Sequence, residues 1–323
     1  AIWGCVAMQA DAVFEGGGVR ALGLAGALQV AEEKGYQWNR LAGTSAGAIV
    51  ASLLAAGYRG EEIIEIMLEE DFLKLIPTTV LSRVPLVGPA LRLWFRYGLY
   101  SSRFLERWIH NLLAQRNIVT FGDLKERKLS IIASDISRGT LLVLPDDLEE
   151  YGYKVDTFPI ARAVRMSCSI PFFYEPSKMM HVPSAKRSYI VDGGMLSNFP
   201  VWLFDRENPR WPTFGFRLVS ETAGEEHHIS GPITLLRAMI YTMLEAHDNR
   251  YIKEQDKVRT ILVPTLNVRA IDFHIEREQR EKLVQAGVDA ANQFFRNWTF
   301  AQYLSERKKT GTVAYQIRPF KSS

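Results

Sequence analysis

Twice within the first sixty residues, a short apolar run breaks at glycine and passes into a helix of small residues. That repetition limits the fold more than any other feature of the chain. In "DAVFEGGGVRALGLAGALQVAEEKG" (11–35), "ADAVF" reads as a strand. From Val19 the apolar positions fall at helical spacing, and Lys34-Gly35 closes the helix. "WNRLAG" (38–43) reads as a second strand, and Ala46 to Ala56 as a second helix ending at Gly57. Strand, helix, strand, helix in so short a span is the pattern of an α/β fold with a mainly parallel sheet.

The rest of the chain extends this pattern. Helices are predicted over 60–72, 102–117, 231–253 and 275–295, and a helix within 158–174 that stops before Pro171. "KLSIIASDISRGTLLVLP" (128–145) reads as two strands joined by a turn, and 187–201 as a strand that enters a glycine turn at Asp192. Further strands are expected over 212–219 and 258–264, and "KMMHVPSAKRS" (178–188) as a solvated basic loop. No stretch has the composition of a linker, so one domain is expected.

Composition narrows the function classes. With 39 basic and 36 acidic residues, the net charge of +3 gives no argument for a nucleic-acid partner. Two cysteines, Cys5 and Cys168, form neither a disulfide framework nor a cysteine metal site and are expected to be reduced thiols. "AIWGCVAMQA" lacks the basic leader of a signal peptide, and no apolar run is long enough to predict a transmembrane helix. The expected location is the cytoplasm, with peripheral contact at a membrane.

Gly43-Thr44-Ser45-Ala46-Gly47 fits G-x-S-x-G. A nucleophile between strand and helix needs a sharp turn, and small neighbours so that the backbones can approach. The helix N-terminus then favours a developing negative charge. The plainer reading is a serine at a helix start. Upstream, Gly16, Gly17 and Gly18 can turn several N–H groups toward one anion. A dinucleotide site is disfavoured, because the acidic residue it needs at the end of the second strand is missing. Glu32 and Glu33 come too early, and the second strand ends at Ser45. An oxyanion hole facing Ser45 fits better.

A serine nucleophile needs a base. His227, His228, His247 and His274 come late enough in the chain, but none ends a strand before a tight turn, and His110 and His181 lack supporting context. Asp192, in "YIVDGG", sits at a strand end before two glycines. If all strands run parallel, their C-termini share one edge and Asp192 reaches Ser45 there. Asp135 competes on the same edge and reads as turn support; an Asp-Gly turn is the plain reading of Asp192.

In this order the glycine loop "EGGGVRA", the "GTSAG" turn and the "DGG" turn resemble the patatin-like phospholipase family over about 11–205, and "RAVRMSCSIPFFYEP" (162–176) resembles the family's segment ahead of its aspartate. Glu15 stands where the family usually has Asp, and Ala21 where Gly is usual. The resemblance implies a three-layer α/β/α core over 11–205, with 206–323 completing the same domain. It implies hydrolysis of lipid acyl esters by a Ser45–Asp192 dyad, with Gly16, Gly17 and Gly18 as the oxyanion hole. Arg20, Gly43, Gly47, Gly193 and Gly194 support the motifs, and no cofactor or metal takes part. The implied substrate is a phospholipid or other lipid ester. A thioesterase, a small-ester carboxylesterase, or a silent lipid-binding regulator are the alternatives.

Residues 75–102 mix Trp94, Phe95 and Tyr97 with Arg83, Arg92 and Arg96. That composition suits a lipid-facing cap. A core-packing excursion whose arginines reach back to water fits it equally well.

Overall fold

The computed structural model describes residues 8–75, 87–124, 128–220, 228–231, 234–235, 238–239, 242 and 254–309. Cys5, Arg83, His227, His247 and most of the helix expected over 231–253 lie outside the described residues.

Strand β1 (Met8–Phe14) is buried from Ala10 onward, as an interior strand covered on both faces must be. It pairs in parallel with β2 (Tyr36–Thr44) on one side and β9 (Thr213–Val219) on the other. β10 (Thr260–Pro264) extends the parallel sheet beyond β9, and β4 (Leu129–Asp135) beyond β2. The remaining partners run antiparallel. β5 (Thr140–Leu144) and β8 (Lys186–Asp192) both pair with β4, and β7 (Ser177–His181) pairs with β8. The sheet is therefore mixed, parallel along its first half and antiparallel along its second.

Helices α1 (Ala21–Glu33) and α2 (Ala46–Ala55) follow β1 and β2, joined on one side of the sheet by α3 (Gly60–Glu69), α5 (Arg103–Gln115) and α6 (Ile160–Ser167). The connections from β1 through β2 to β4 progress in one direction, and right-handed crossovers then place their helices on the same face. The strand faces divide accordingly: Ala12 and Phe14 meet the helical layer, and Val13 and Ala42 pack on the other side with Val201 and Phe204. Between α3 and α5 lies α4 (Val87–Arg96), and after it β3 (Gly98–Tyr100), which pairs with β6 (Phe172–Tyr174) as a separate two-stranded sheet.

After a short turn of helix, α7 (Glu254–Lys257), come α8 (Arg277–Phe295) and α9 (Phe300–Lys309). α8 lies directly on α1. A side chain at Gly26 would strike the Val284 carbonyl oxygen at 2.2 Å, and one at Gly287 the Gly23 carbonyl oxygen at 1.9 Å. Three glycines, Gly23, Gly26 and Gly287, thus let two helix backbones touch, and they bind α8 to the first helix of the core.

Two expectations fail. The segment 178–188 is the β7–β8 hairpin rather than a loop. Ser177, Met179 and His181 point inward while Lys178 and Met180 are exposed, so the alternation is real but its inward set is mostly polar and hides it. The assumption that the aspartate's strand is parallel to its neighbours is also wrong, since β8 runs antiparallel to β4.

Candidate active site

Reversal of β8 brings Asp192 to Ser45 by a different route from the one expected. β5 occupies one flank of β4 along Ile131–Asp135. β2 (pairing with Leu129–Ile132) and β8 (pairing with Ala133–Asp135) must therefore share the opposite flank. One runs parallel to β4 and the other antiparallel, so their C-terminal ends meet head-on between Ile132 and Ala133. Thr44 stands opposite Ile132 and Asp192 opposite Ala133.

At this junction the backbone of Ser45 takes φ 53° and ψ −126°. A non-glycine residue occupies that region only when its surroundings impose it. Two close approaches do so. A Cβ at Gly43 would lie 2.3 Å from the Gly47 carbonyl oxygen, and one at Gly47 would lie 2.4 Å from the Phe14 carbonyl oxygen. The strained turn points the amide of Ser45 away from its own helix. That N–H donates to Ser167 Oγ at 2.8 Å, and the Ser167 hydroxyl in turn donates to the Ile132 carbonyl. Ser167→Ala would leave the buried amide without its acceptor. The expected result is a loss of about 1–3 kcal/mol of stability, read as a Tm lower by a few degrees in a thermal melt.

Ser45 Oγ donates to Asp192 Oδ2 at 2.7 Å, and the Gly194 amide donates to Asp192 Oδ1 at 2.8 Å. The Asp192 amide donates to the Ser169 carbonyl at 2.9 Å. The carboxyl is fully buried. Burial pushes its pKa up to about 6, against the hydrogen bonds from Ser45 and Gly194, which lower it. Gly193 packs against the Ile132 carbonyl at a distance no side chain would permit. Cys168 is buried beside the pair. Its thiol is held well above the ordinary value, first by burial and then by the charge of Asp192, and so stays protonated.

The glycine loop lies against the same serine. A Cβ at Gly16 would come 3.1 Å from Ser45 Cβ and 2.3 Å from Asn198 Oδ1. Gly16 is clipped to Asn198 twice: its N–H donates to the Asn198 carbonyl at 3.2 Å, and Asn198 Nδ2 donates to the Gly16 carbonyl at 3.1 Å. The Gly16 amide is thereby engaged, and its place is to seat the loop. Among the described residues, the Gly17 and Gly18 amides donate to no protein acceptor. Gly18 has φ +59°, and a Cβ there would meet the Ala270 carbonyl oxygen at 1.8 Å. Arg20 is buried, and its Nε donates to the Gly17 carbonyl at 3.1 Å.

The two departures from the expected motif are accommodated. Glu15 reaches across to β9, where its Oε2 accepts the Leu218 amide at 2.7 Å and Oε1 lies 3.5 Å from Arg217 Nε. Ala21 is buried at the start of α1.

The competing candidates are placed elsewhere. Asp135 accepts the amides of Ser137 and Arg138 and the hydroxyl of Tyr151, so it closes the β4–β5 turn. His181 bonds Ser184 in the β7–β8 turn, and His110, His228 and His274 are exposed. Ser45 and Asp192 carry no histidine contact among the described residues. Among these residues no cluster of His, Cys, Asp and Glu could hold a metal ion. Sequence reasoning missed Ser167 and Asn198. Their signals were "RMSCS" (165–169), in the segment ahead of the aspartate, and "DGGMLSN" (192–198), the continuation of the aspartate turn.

The arrangement offers a hydroxyl bonded to a buried carboxylate, with the glycine loop packed against the same serine through Gly16. Such a hydroxyl–carboxylate pair has the parts for acyl transfer through serine.

The family model described as patatin-like phospholipase matches residues 12–205. The chain is 43% identical over 295 residues to the uncharacterized protein YqhO of Bacillus subtilis (strain 168), covering 91% of this chain and 100% of that protein. It is 26% identical over 195 residues to the probable lipid hydrolase 463L of Invertebrate iridescent virus 6, covering 58% of this chain and 61% of that one. Among solved structures it is similar to VipD from Legionella pneumophila, with 17% identity and a TM-score of 0.49. That likeness covers 89% of this chain and 66% of VipD.

Proposed function

The chain belongs to the patatin-like phospholipase family, and from that premise we propose that it is a lipid acyl hydrolase using Ser45 as nucleophile and Asp192 as general base. The observation that carries the reading is the 2.7 Å hydrogen bond from Ser45 Oγ to Asp192 Oδ2 at a strained, buried turn. The substrate class is the acyl ester of a phospholipid or related lipid, met at a membrane surface through 75–102. Within 206–323, β9 and β10 pair in register with the sheet and α8 packs on α1, which supports reading this part as completing the same catalytic domain.

In the proposed reaction, Ser45 Oγ bonds to the ester carbonyl carbon as its proton passes to Asp192 Oδ2. The carbonyl π pair moves to oxygen, and the amides of Gly17 and Gly18 receive that oxyanion. Collapse breaks the bond to the alcohol or lysolipid, which leaves with the proton from Asp192. Water then attacks the acyl-serine, giving one proton to Asp192. The fatty acid departs as Ser45 Oγ recovers that proton. A carboxylate whose affinity for protons is raised by burial is a stronger base than a free one, which suits it to a task that histidine performs elsewhere.

The test pairs a label with a substrate panel. A fluorophosphonate should modify Ser45 stoichiometrically, located by peptide mass spectrometry. Turnover should be highest on phospholipid vesicles, compared with acyl-CoA and short soluble esters. A label on another residue overturns the dyad. Preference for acyl-CoA would make the protein a thioesterase, and preference for short esters a carboxylesterase. Absence of labelling together with no turnover on any ester would leave a silent lipid-binding regulator.

A further inference from the structure

Helix α4 is amphipathic in the wrong direction for a water-facing surface. Leu91, Trp94 and Phe95 fall at i, i+3 and i+4, which aligns them in one stripe. That stripe faces solvent: Leu91 is 42% exposed, Trp94 78% and Phe95 68%. Arg92, turned off the stripe, is mostly covered and bonds Glu175 Oε1 at 2.8 Å. The charge holds the helix to the body and the apolar residues point away from it. Of the two readings of 75–102, the exposure of Trp94 and Phe95 excludes a core-packing role for those side chains.

The helix is braced to the catalytic end of the molecule. Next to it in sequence, β3 pairs with β6, with Gly98 opposite Phe172. β6 begins three residues after Ser169, whose carbonyl holds Asp192. Ile170 and Tyr174 pack with Ala270, the residue that covers Gly18, and Tyr100, Phe173 and Ile271 close around them. Other exposed apolar side chains are Met195 and Leu196, three and four residues after Asp192, and Phe172, three after Ser169.

Charge selects the occupant. From Phe72 to Leu105 the chain carries Lys74, Arg83, Arg92, Arg96 and Arg103 and no carboxylate, although the whole chain is nearly balanced. Arg96, at the end of α4, is exposed beside the stripe. A second copy of the chain would need a matching acidic and apolar surface. A lipid layer with anionic head groups supplies both complements, taking the rings among its acyl chains and the guanidinium groups among its phosphates.

We propose that α4 docks the protein on an anionic phospholipid surface, seating Leu91, Trp94 and Phe95 in the interface and thereby presenting the Ser45 site to lipid. The proposal rests on the lipid hydrolase reading for its purpose, while its test reads binding directly. The probes are vesicles of phosphatidylcholine and phosphatidylglycerol in equal parts, and vesicles of phosphatidylcholine alone, in a flotation assay. Wild-type protein should float with the mixed vesicles, less with phosphatidylcholine, and less at high salt. Trp94→Ala/Phe95→Ala should lower binding by at least about tenfold and keep the turnover of a short soluble ester within about twofold, which also reports that it has folded. Arg96→Glu is the second variant and should weaken binding to the mixed vesicles alone. The proposal is overturned if wild-type protein floats with neither vesicle, or if the double variant floats as well as wild type. It is likewise overturned if sedimentation shows a wild-type dimer that the double variant loses. Flotation without hydrolysis of any ester would sink the enzyme reading and leave this surface standing.

Discussion

Replacing Ser45 with alanine is expected to lower kcat on an acyl ester by about 10⁴-fold or more. The size follows from the role: no other group in the junction offers a nucleophile. Cys168 lies beside it, but burial and the neighbouring carboxylate keep its thiol protonated. Ser167 is engaged on both sides, by the Ser45 amide and the Ile132 carbonyl. The alanine variant should fold, because a small side chain suits the turn and the deletion removes only a hydroxyl. Its Tm should remain within a few degrees of wild type, since alanine meets the same backbone constraint at φ 53° and the change removes one hydrogen bond. Active-site titration with a fluorophosphonate checks the loss. Turnover within tenfold of wild type, in protein free of wild-type contamination, would remove Ser45 from the mechanism.

Asp192→Asn is the second large effect, expected at about 10²–10⁴-fold in kcat, the range for a positioned general base. Asparagine keeps the shape and can still accept the Gly194 amide, but it takes no proton. The wild-type pH profile should report the same carboxyl. With a pKa raised to about 6, turnover should fall as pH drops through that value and level off above it. Stability should move the opposite way. The folded pKa lies above the unfolded one, so between about pH 4 and 6 the native state holds a proton that the unfolded chain has released. Stability therefore falls as pH rises through this window, by on the order of 3 kcal/mol once the carboxyl is fully ionised. Asp192→Asn removes that dependence. Chemical denaturation across the window should show a flatter curve for the variant and a stability at neutral pH no lower than wild type. A variant less stable than wild type at pH 7 would mean that the carboxylate is held in place by more than its burial suggests.

Much of this architecture was readable from local pattern. The two strand–glycine–helix units announce a parallel α/β core because each glycine run stands where backbones must touch. A Cβ at Gly43, Gly47 or Gly18 would collide with main-chain atoms. Residue type is informative there because sterics leave no alternative. The elbow at Ser45 and the aspartate turn were legible for the same reason. So was Asp135, whose Asx-type bonds close a hairpin within three residues of itself. The β7–β8 hairpin was not legible, since its buried positions are filled by serine, methionine and histidine and give no apolar alternation.

Residue identities near each glycine and serine could be read because a close backbone approach excludes every side chain whatever the partner, whether near in the chain, as Gly47 is to Gly43, or far, as Ala270 is from Gly18. The meeting of Ser45 with Asp192 could not, because it depends on strand direction. An alternating or apolar run looks the same in either orientation, and β8 could lie along β4 parallel or antiparallel on pattern alone. The pairing of β8 with β4, Asp192 opposite Ala133, is antiparallel, and it sets two strand ends against each other on one flank of β4, joining Ser45 to Asp192 across 147 residues. The same holds for α4. Its stripe of leucine, tryptophan and phenylalanine fits a buried or an exposed helix equally well in sequence. The ion pair from Arg92 to Glu175, 83 residues away, turned it outward.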